Sequence, residues 1–247
     1  MRGLLFLVLI LCTTILKGQY PFEQFSAIKY KDFDDWKIYD KSEEVKNVHA
    51  TLTIPGFYDN SGSLSIQLTS FTDQWCGNSI VRVFRNKTET QKFTENIPFN
   101  PVGLDSVRVA DINGDGLMDV KIVIPYMGNG TASLNVRVIY LFQRPDQSFN
   151  VISFNDKSYP NLPERDFDGD GNYEIITMNL TGYENHSYWV FNLFNYKDNG
   201  FKNVNSKLNY PIMIQYLFRE NYELTNRISR EKMKQFGLNF PDGYEIK

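Results

Sequence analysis

The sequence is short of the residues on which most catalytic sites and most secreted scaffolds depend. It holds two cysteines, Cys12 and Cys76, and two histidines, His49 and His186. Cys12 falls in a leader-like N-terminus, which leaves Cys76 alone in the rest of the chain. One thiol cannot close an internal disulfide, and Cys76 reads as a buried, inert thiol rather than a nucleophile. The chain has no GxSxG, HExxH, P-loop or GxGxxG motif, so the common constellations for acyl transfer, zinc hydrolysis and nucleotide binding are missing. An excess of positive charge is missing as well: 26 Lys and Arg stand against 29 Asp and Glu, a formal net charge of −3, which argues against a nucleic-acid partner. Only one long apolar run occurs, at residues 4–16.

That run, LLFLVLILCTTIL, follows Arg2 and ends at Lys17-Gly18. Its length fits a secretory signal peptide and is short for a membrane span. The expected domain plan is a signal peptide over residues 1–18 and a single β-rich domain over residues 19–247, secreted to the periplasm or the extracellular space. An uncleaved N-terminal anchor is the competing reading. A lipid anchor at Cys12 is disfavoured because Leu11 stands where a small residue is needed. Loss of Arg2 and Lys17 takes the formal charge from −3 to −5, a mildly acidic surface. Sequons at Asn86, Asn129, Asn179 and Asn185 matter only in a eukaryotic secretory route.

What the chain has instead is aromatic and β-branched residues in period-2 patterns. Aromatics make up 15% of it, which suits strands better than helices. The run at 49–54 reads as a strand ended by Pro55-Gly56, and Leu64, Ile66 and Leu68 alternate cleanly after a turn signal at 59–62. Residues 19–46 read as a mobile segment or a short edge element. Two related blocks follow, at about 106–142 and 166–194, each built as acidic loop, strand, turn, strand. Their first aspartates, Asp111 and Asp166, lie 55 residues apart, a spacing typical of β architectures rather than helical arrays. A helix is expected over residues 225–236, with Gly237 as its stop. The fold class is therefore all-β, antiparallel hairpins in a sandwich, prism or partial-propeller-like arrangement, with a C-terminal α-helix.

The loops carry the chemistry. In DINGDGLMD, oxygen-bearing side chains fall at Asp111, Asn113, Asp115 and Asp119, with Gly116 at the sharp turn and Leu117 offering its carbonyl. In DFDGDGNYE the same places hold Asp166, Asp168, Asp170 and Glu174, with Gly171 at the turn and the Asn172 carbonyl next. Calcium takes six to eight hard oxygens, and this spacing supplies them together with water. Magnesium holds its own water too tightly, and zinc lacks its Cys and His ligands here. Two calcium sites are expected, the second tighter because it has one more carboxylate. Each loop without metal would be an ordinary polar turn, since Asp, Asn and Gly favour turns. An EF-hand or dockerin needs an acidic twelfth residue between helices; Ile122 and Thr177 stand there instead, with strand-like flanks.

DINGDGLMD and DFDGDGNYE resemble the calcium loops of FG-GAP repeats and of the related VCBS repeats. The resemblance covers roughly residues 102–201 and implies a metal that stabilises β-hairpins of propeller-blade type, although the chain is too short for seven such blades. The first loop, followed by Tyr140, Phe142 and Phe149, also resembles small periplasmic lysozyme-inhibitor-like proteins. That likeness implies a calcium-stabilised inhibitor of a peptidoglycan-cleaving enzyme, with the Gly-Asn-Gly turn at 128–130 as its inhibitory loop, although a plain hairpin turn accounts for the same residues.

No catalytic residues are assigned, because the clustered carboxylates are the metal ligands and both histidines read as structural or solvated. The sequence thus points to a non-catalytic binding or inhibitory module acting on a secreted protein or a glycan. The alternative is a glycan-active or accessory hydrolase-like protein using Asp and Glu, with Trp36, Trp75 and Trp189 as a sugar platform.

Overall fold

A computed structural model describes residues 20–40, 47–58, 62–71, 78–99, 104–125, 130–157, 162–216 and 221–247. The leader, Cys76, Trp75, the turn at 59–61 and Gly128-Asn129 lie outside the described residues. The chain is all-β with short helical turns. After a 3-10 turn at Pro21–Gln24 come β1 (Ser26–Ala27), β2 (Lys31–Phe33) and β3 (Lys37–Asp40). A first meander holds β4 (Asn47–Tyr58), β5 (Gly62–Phe71), β6 (Ser79–Arg85) and β7 (Thr88–Glu95). A second holds β8 (Val107–Ala110), β9 (Asp119–Pro125), β10 (Asn135–Gln143) and β11 (Phe149–Lys157). A third holds β12 (Arg165–Asp166), β13 (Ile175–Tyr183), β14 (His186–Lys197) and β15 (Gly200–Asn203). The chain then forms α1 (Asn205–Leu208), β16 (Ile212–Gln215), α2 (Arg230–Met233) and β17 (Glu245–Ile246).

The first two meanders are antiparallel sheets; in the third, β13, β14 and β15 form the sheet, β16 joins it on β14, and β12 stands outside it. β3 extends the first sheet, β2 and β17 close the two sides of the second, and β1 pairs β12. The hairpin turns follow from local chemistry. Asn86-Lys87, Glu184-Asn185 and Asp198-Asn199 all have positive φ at both central residues, the geometry whose twist matches the flanking strands.

The three sheets stack in series. Leu52, Leu64, Ile66 and Val81 of the first pack with Val107, Ile122, Ile139 and Leu141 of the second in one core. The other face of the second sheet packs on the third: Phe142 stacks on Tyr196 with centroids 3.8 Å apart, and Phe154 lies 5.9 Å from Phe201. The outer face of the third sheet is covered by Tyr20, Phe22 and Tyr210. Each fully buried side chain of this kind stabilises the fold by about 1.5–3 kcal/mol. The first sheet keeps a polar outer face, where Thr53 and Ser65 hydroxyls meet at 2.9 Å.

Two local expectations are corrected. Pro55-Gly56 does not end its strand. β4 runs on to Tyr58 through a register shift between Ile54 and Tyr58, with Gly56 at φ +64°, so the pair forms a bulge. The helix expected over 225–236 is only α2 plus a 3-10 turn at Lys234–Phe236. Thr225 N–H donates to the Met213 carbonyl and Leu224 bridges Ile214, which ties the start of that stretch to β16, and residues 226–228 are bends. The helix starts only where Ser229 caps it by accepting from Lys232 N–H.

Candidate metal centre

The two acidic loops occupy equivalent places, each joining the first strand of a meander to the second. The first leaves β8 and enters β9; the second leaves β12 and enters β13. They are folded by the same hydrogen bonds. The carboxylate at the first position accepts from the N–H at the sixth: Gly116 to Asp111 at 2.8 Å, Gly171 to Asp166 at 3.2 Å. The carboxylate at the fifth accepts from the seventh: Leu117 to Asp115 at 2.8 Å, Asn172 to Asp170 at 2.9 Å. The carboxylate at the ninth accepts from the second: Ile112 to Asp119 at 2.9 Å, Phe167 to Glu174 at 3.0 Å. Gly116 and Gly171 have φ of +85° and +82°, which L side chains adopt only with strain.

The loops also touch. Tyr173 N–H donates to the Ile112 carbonyl at 2.9 Å. A Cβ on Gly114 would sit 2.7 Å from the Gly171 carbonyl oxygen at φ +72°, so this contact needs glycine.

Among the described residues, carboxylate oxygens converge in the second loop, where one oxygen each of Asp166, Asp168 and Glu174 lies within 4.8 Å of the others. Asp170 is turned to Lys197 at 3.1 Å, and Asp168 is paired with Lys207. In the first loop no such triad is present among the described residues. Asn113 replaces an acid there and donates its amide to Asp115 at 3.0 Å, while Asp119 accepts from Ile112, Asn113 and Gln143.

Burial raises Glu174 to about 7, and Asp168, Asp170 and Asp166 add to the rise against the Phe167 N–H. Burial likewise raises Asp119 to about 7 against its backbone donors. Asp170 is lowered, chiefly by the Asn172 N–H and then by Lys197. The second loop fits a hard cation on two further grounds. Its donors are all oxygen, and Asn172 donates its amide to the Tyr196 carbonyl while its Oδ1 stays buried with no partner among the described residues.

Sequence reasoning missed a second polar assembly, between the second and third sheets. Lys121, on β9, donates to Glu164 at 2.5 Å, and Tyr30 and Tyr140 both donate their hydroxyls to the same carboxylate. Burial alone would raise Glu164, but Lys121 and the two phenols outweigh it and hold the carboxyl below its ordinary value. Burial and then Glu164 raise both tyrosines. The one signal in the sequence was a lysine inside the apolar run of β9. Of the proposed sugar platform, Trp36 packs on the first core and Trp189 in the third, so the two described tryptophans share no surface. His49 bonds Thr69 at 2.9 Å and His186 bonds Gln215 at 3.2 Å.

No helix among the described residues is long and apolar enough to cross a membrane. Compared with known proteins, the chain matches no family model, no curated protein and no solved structure.

Proposed function

We propose that this chain is a secreted calcium-binding β-domain that acts as a non-catalytic binding or inhibitory module, with calcium as a structural clamp. The observation that carries the reading is the hydrogen-bond scheme repeated in both loops, together with the convergence of Asp166, Asp168 and Glu174 in the second. In the second loop the ion would be held by Asp166, Asp168, Asp170 and Glu174 with the Asn172 carbonyl; in the first, by Asp111, Asn113, Asp115 and Asp119 with the Leu117 carbonyl. Calcium bound there cross-links the first and second strands of a meander. The location of both loops at that junction supports the resemblance to FG-GAP and VCBS blades, and a secreted protein or glycan, including a peptidoglycan-cleaving enzyme, is the partner class. The hydrolase-like alternative has one specific support, the carboxylates Asp156 and Glu164 beside the inter-sheet cleft. Glu164 is locked by three donors, which suits positioning better than proton transfer.

The test is calorimetric unfolding with calcium and with chelator. A ligand that binds only the folded state at a hundred times its Kd adds about 2.7 kcal/mol. The expected result is a higher Tm with calcium, part of which Asp170→Ala removes; identical curves in calcium and chelator would sink the clamp.

A further inference from the structure

Tyr30, Lys121 and Tyr140, the three residues that hold Glu164, line a cleft of about 300 Å³ against the second sheet. Cross-strand pairing fixes what faces it. Arg108, Lys121 and Tyr140 lie in one row across β8, β9 and β10. The same sheet face is otherwise apolar, with Val123, Val136 and Val138 along the cleft, and Leu162 and Ile176 line it as well. Asp156 lies at the other end of the polar wall, and its carboxylate accepts from Met178 N–H at 2.8 Å. A buried ion pair costs desolvation, and packed aliphatics in its place are often as stable or more so. Polar groups gathered in a cleft where the core would be cheaper without them mark a site for a ligand.

The charges narrow the ligand class. Each cation of the cleft already has an oxygen partner: Arg108 with Asp105 at 2.8 Å, Lys121 with Glu164 at 2.5 Å, Lys157 with the Asn135 amide oxygen. An anion would have to displace one of these oxygens and would then face Asp156. A cation could reach Asp156 without displacing either carboxylate, but it would then lie in a cleft lined by Arg108, Lys121 and Lys157, whose charges oppose it. A neutral ligand with neighbouring hydroxyls displaces nothing, because each hydroxyl both donates and accepts. Tyr30, half-buried on the rim, adds an aromatic face, and the valines add an apolar one. The volume lies at the lower bound of small-molecule sites, which run from about 300 to 1,000 Å³.

We propose that this cleft is a binding site for a neutral sugar of one or two rings, held by Tyr30, Arg108, Lys121 and Asp156 against the Val123–Val138 wall. This names the ligand class of the binding module proposed above, and it does not depend on calcium.

The experiment titrates the full chain with cellobiose and with N,N′-diacetylchitobiose, using calorimetry and saturation-transfer NMR, and with citrate as the anionic comparator. Every titration is run in calcium and in chelator, with Tm recorded on the same samples. At least one disaccharide is expected to bind, and citrate is not. Tyr30→Phe and Asp156→Asn are each expected to weaken binding at least tenfold, and Arg108→Gln, half-buried at the rim, serves as the variant least able to disturb folding. Binding of citrate alone, no binding of either sugar, or sugar affinity unchanged in all three folded variants overturns the proposal. A Tm gain from calcium without sugar binding defeats the cleft and spares the clamp; sugar binding without that gain does the reverse.

Discussion

The loop leaving β8 and the loop leaving β12 share their backbone hydrogen bonds but not their electrostatics. In both, side-chain oxygens at the first, fifth and ninth positions accept N–H groups from the loop itself. Asn113 stands in the first loop where Asp168 stands in the second. Asp119 serves three backbone donors, one of them Gln143 from β10, while the hydrogen bond to Glu174 comes from Phe167. The second loop has surface lysines at two of its acids, Lys197 at Asp170 and Lys207 at Asp168. Backbone geometry thus sets where oxygens point, while charge count and burial separate a loop that ties strands together from one suited to hold a cation.

That contrast breaks most easily at Asp119. Asp119→Ala strands the buried donors of Ile112 and Gln143, and each unsatisfied donor costs about 1–3 kcal/mol. The urea-unfolding free energy is expected to fall by about 3 kcal/mol in chelator, and by more in calcium, where a ligand of the ion is lost as well. Stability unchanged in chelator would show that the first loop does not need its carboxylate. Next in size is the calcium-dependent gain. Asp170→Ala is expected to remove a larger share of the Tm rise than Asp115→Ala; the opposite order would reverse the ranking of the two loops.

A control lies outside both loops. Burial raises Asp156 to about 7, opposed by the Met178 and Lys157 N–H groups and by Lys121, and reinforced by Glu164. Its folded value exceeds its unfolded one, so its contribution is fully present below pH 4 and is lost as pH rises through 7. Asp156→Asn, which cannot ionise, should therefore gain on the native protein by about 4 kcal/mol between pH 4 and pH 8. Parallel stability profiles for the two would refute this.

The sequence patterns were clearest where one face of a strand meets water. Leu64, Ile66 and Leu68 alternate because Ser65 and Gln67 face outward, and the loops announce themselves because their hydrogen bonds are local. Tertiary events were hidden. Residues 225–228 had helical spacing, yet Leu224 and Thr225 pair with β16 and the chain bends until Ser229. Pro55-Gly56 signals a break, and cross-strand pairing turned it into a bulge. Tyr30 and Glu164 meet across 134 positions, a convergence that no spacing rule anticipates; Lys121 in its apolar strand was the only local trace.

The middle sheet has its own consequence for tolerance to change. Apart from Pro125 and Asn135 at their ends, every position of β9 and β10 is buried, whereas β5 and β6 alternate buried and half-exposed positions over most of their length. A saturation map of substitutions should therefore show stripes of every second residue in the first sheet and unbroken intolerance through β9 and β10. Natural variation, insertions and engineered tags have their room in the outer sheets, and drift in the central one has to proceed by matched exchanges across two interfaces at once.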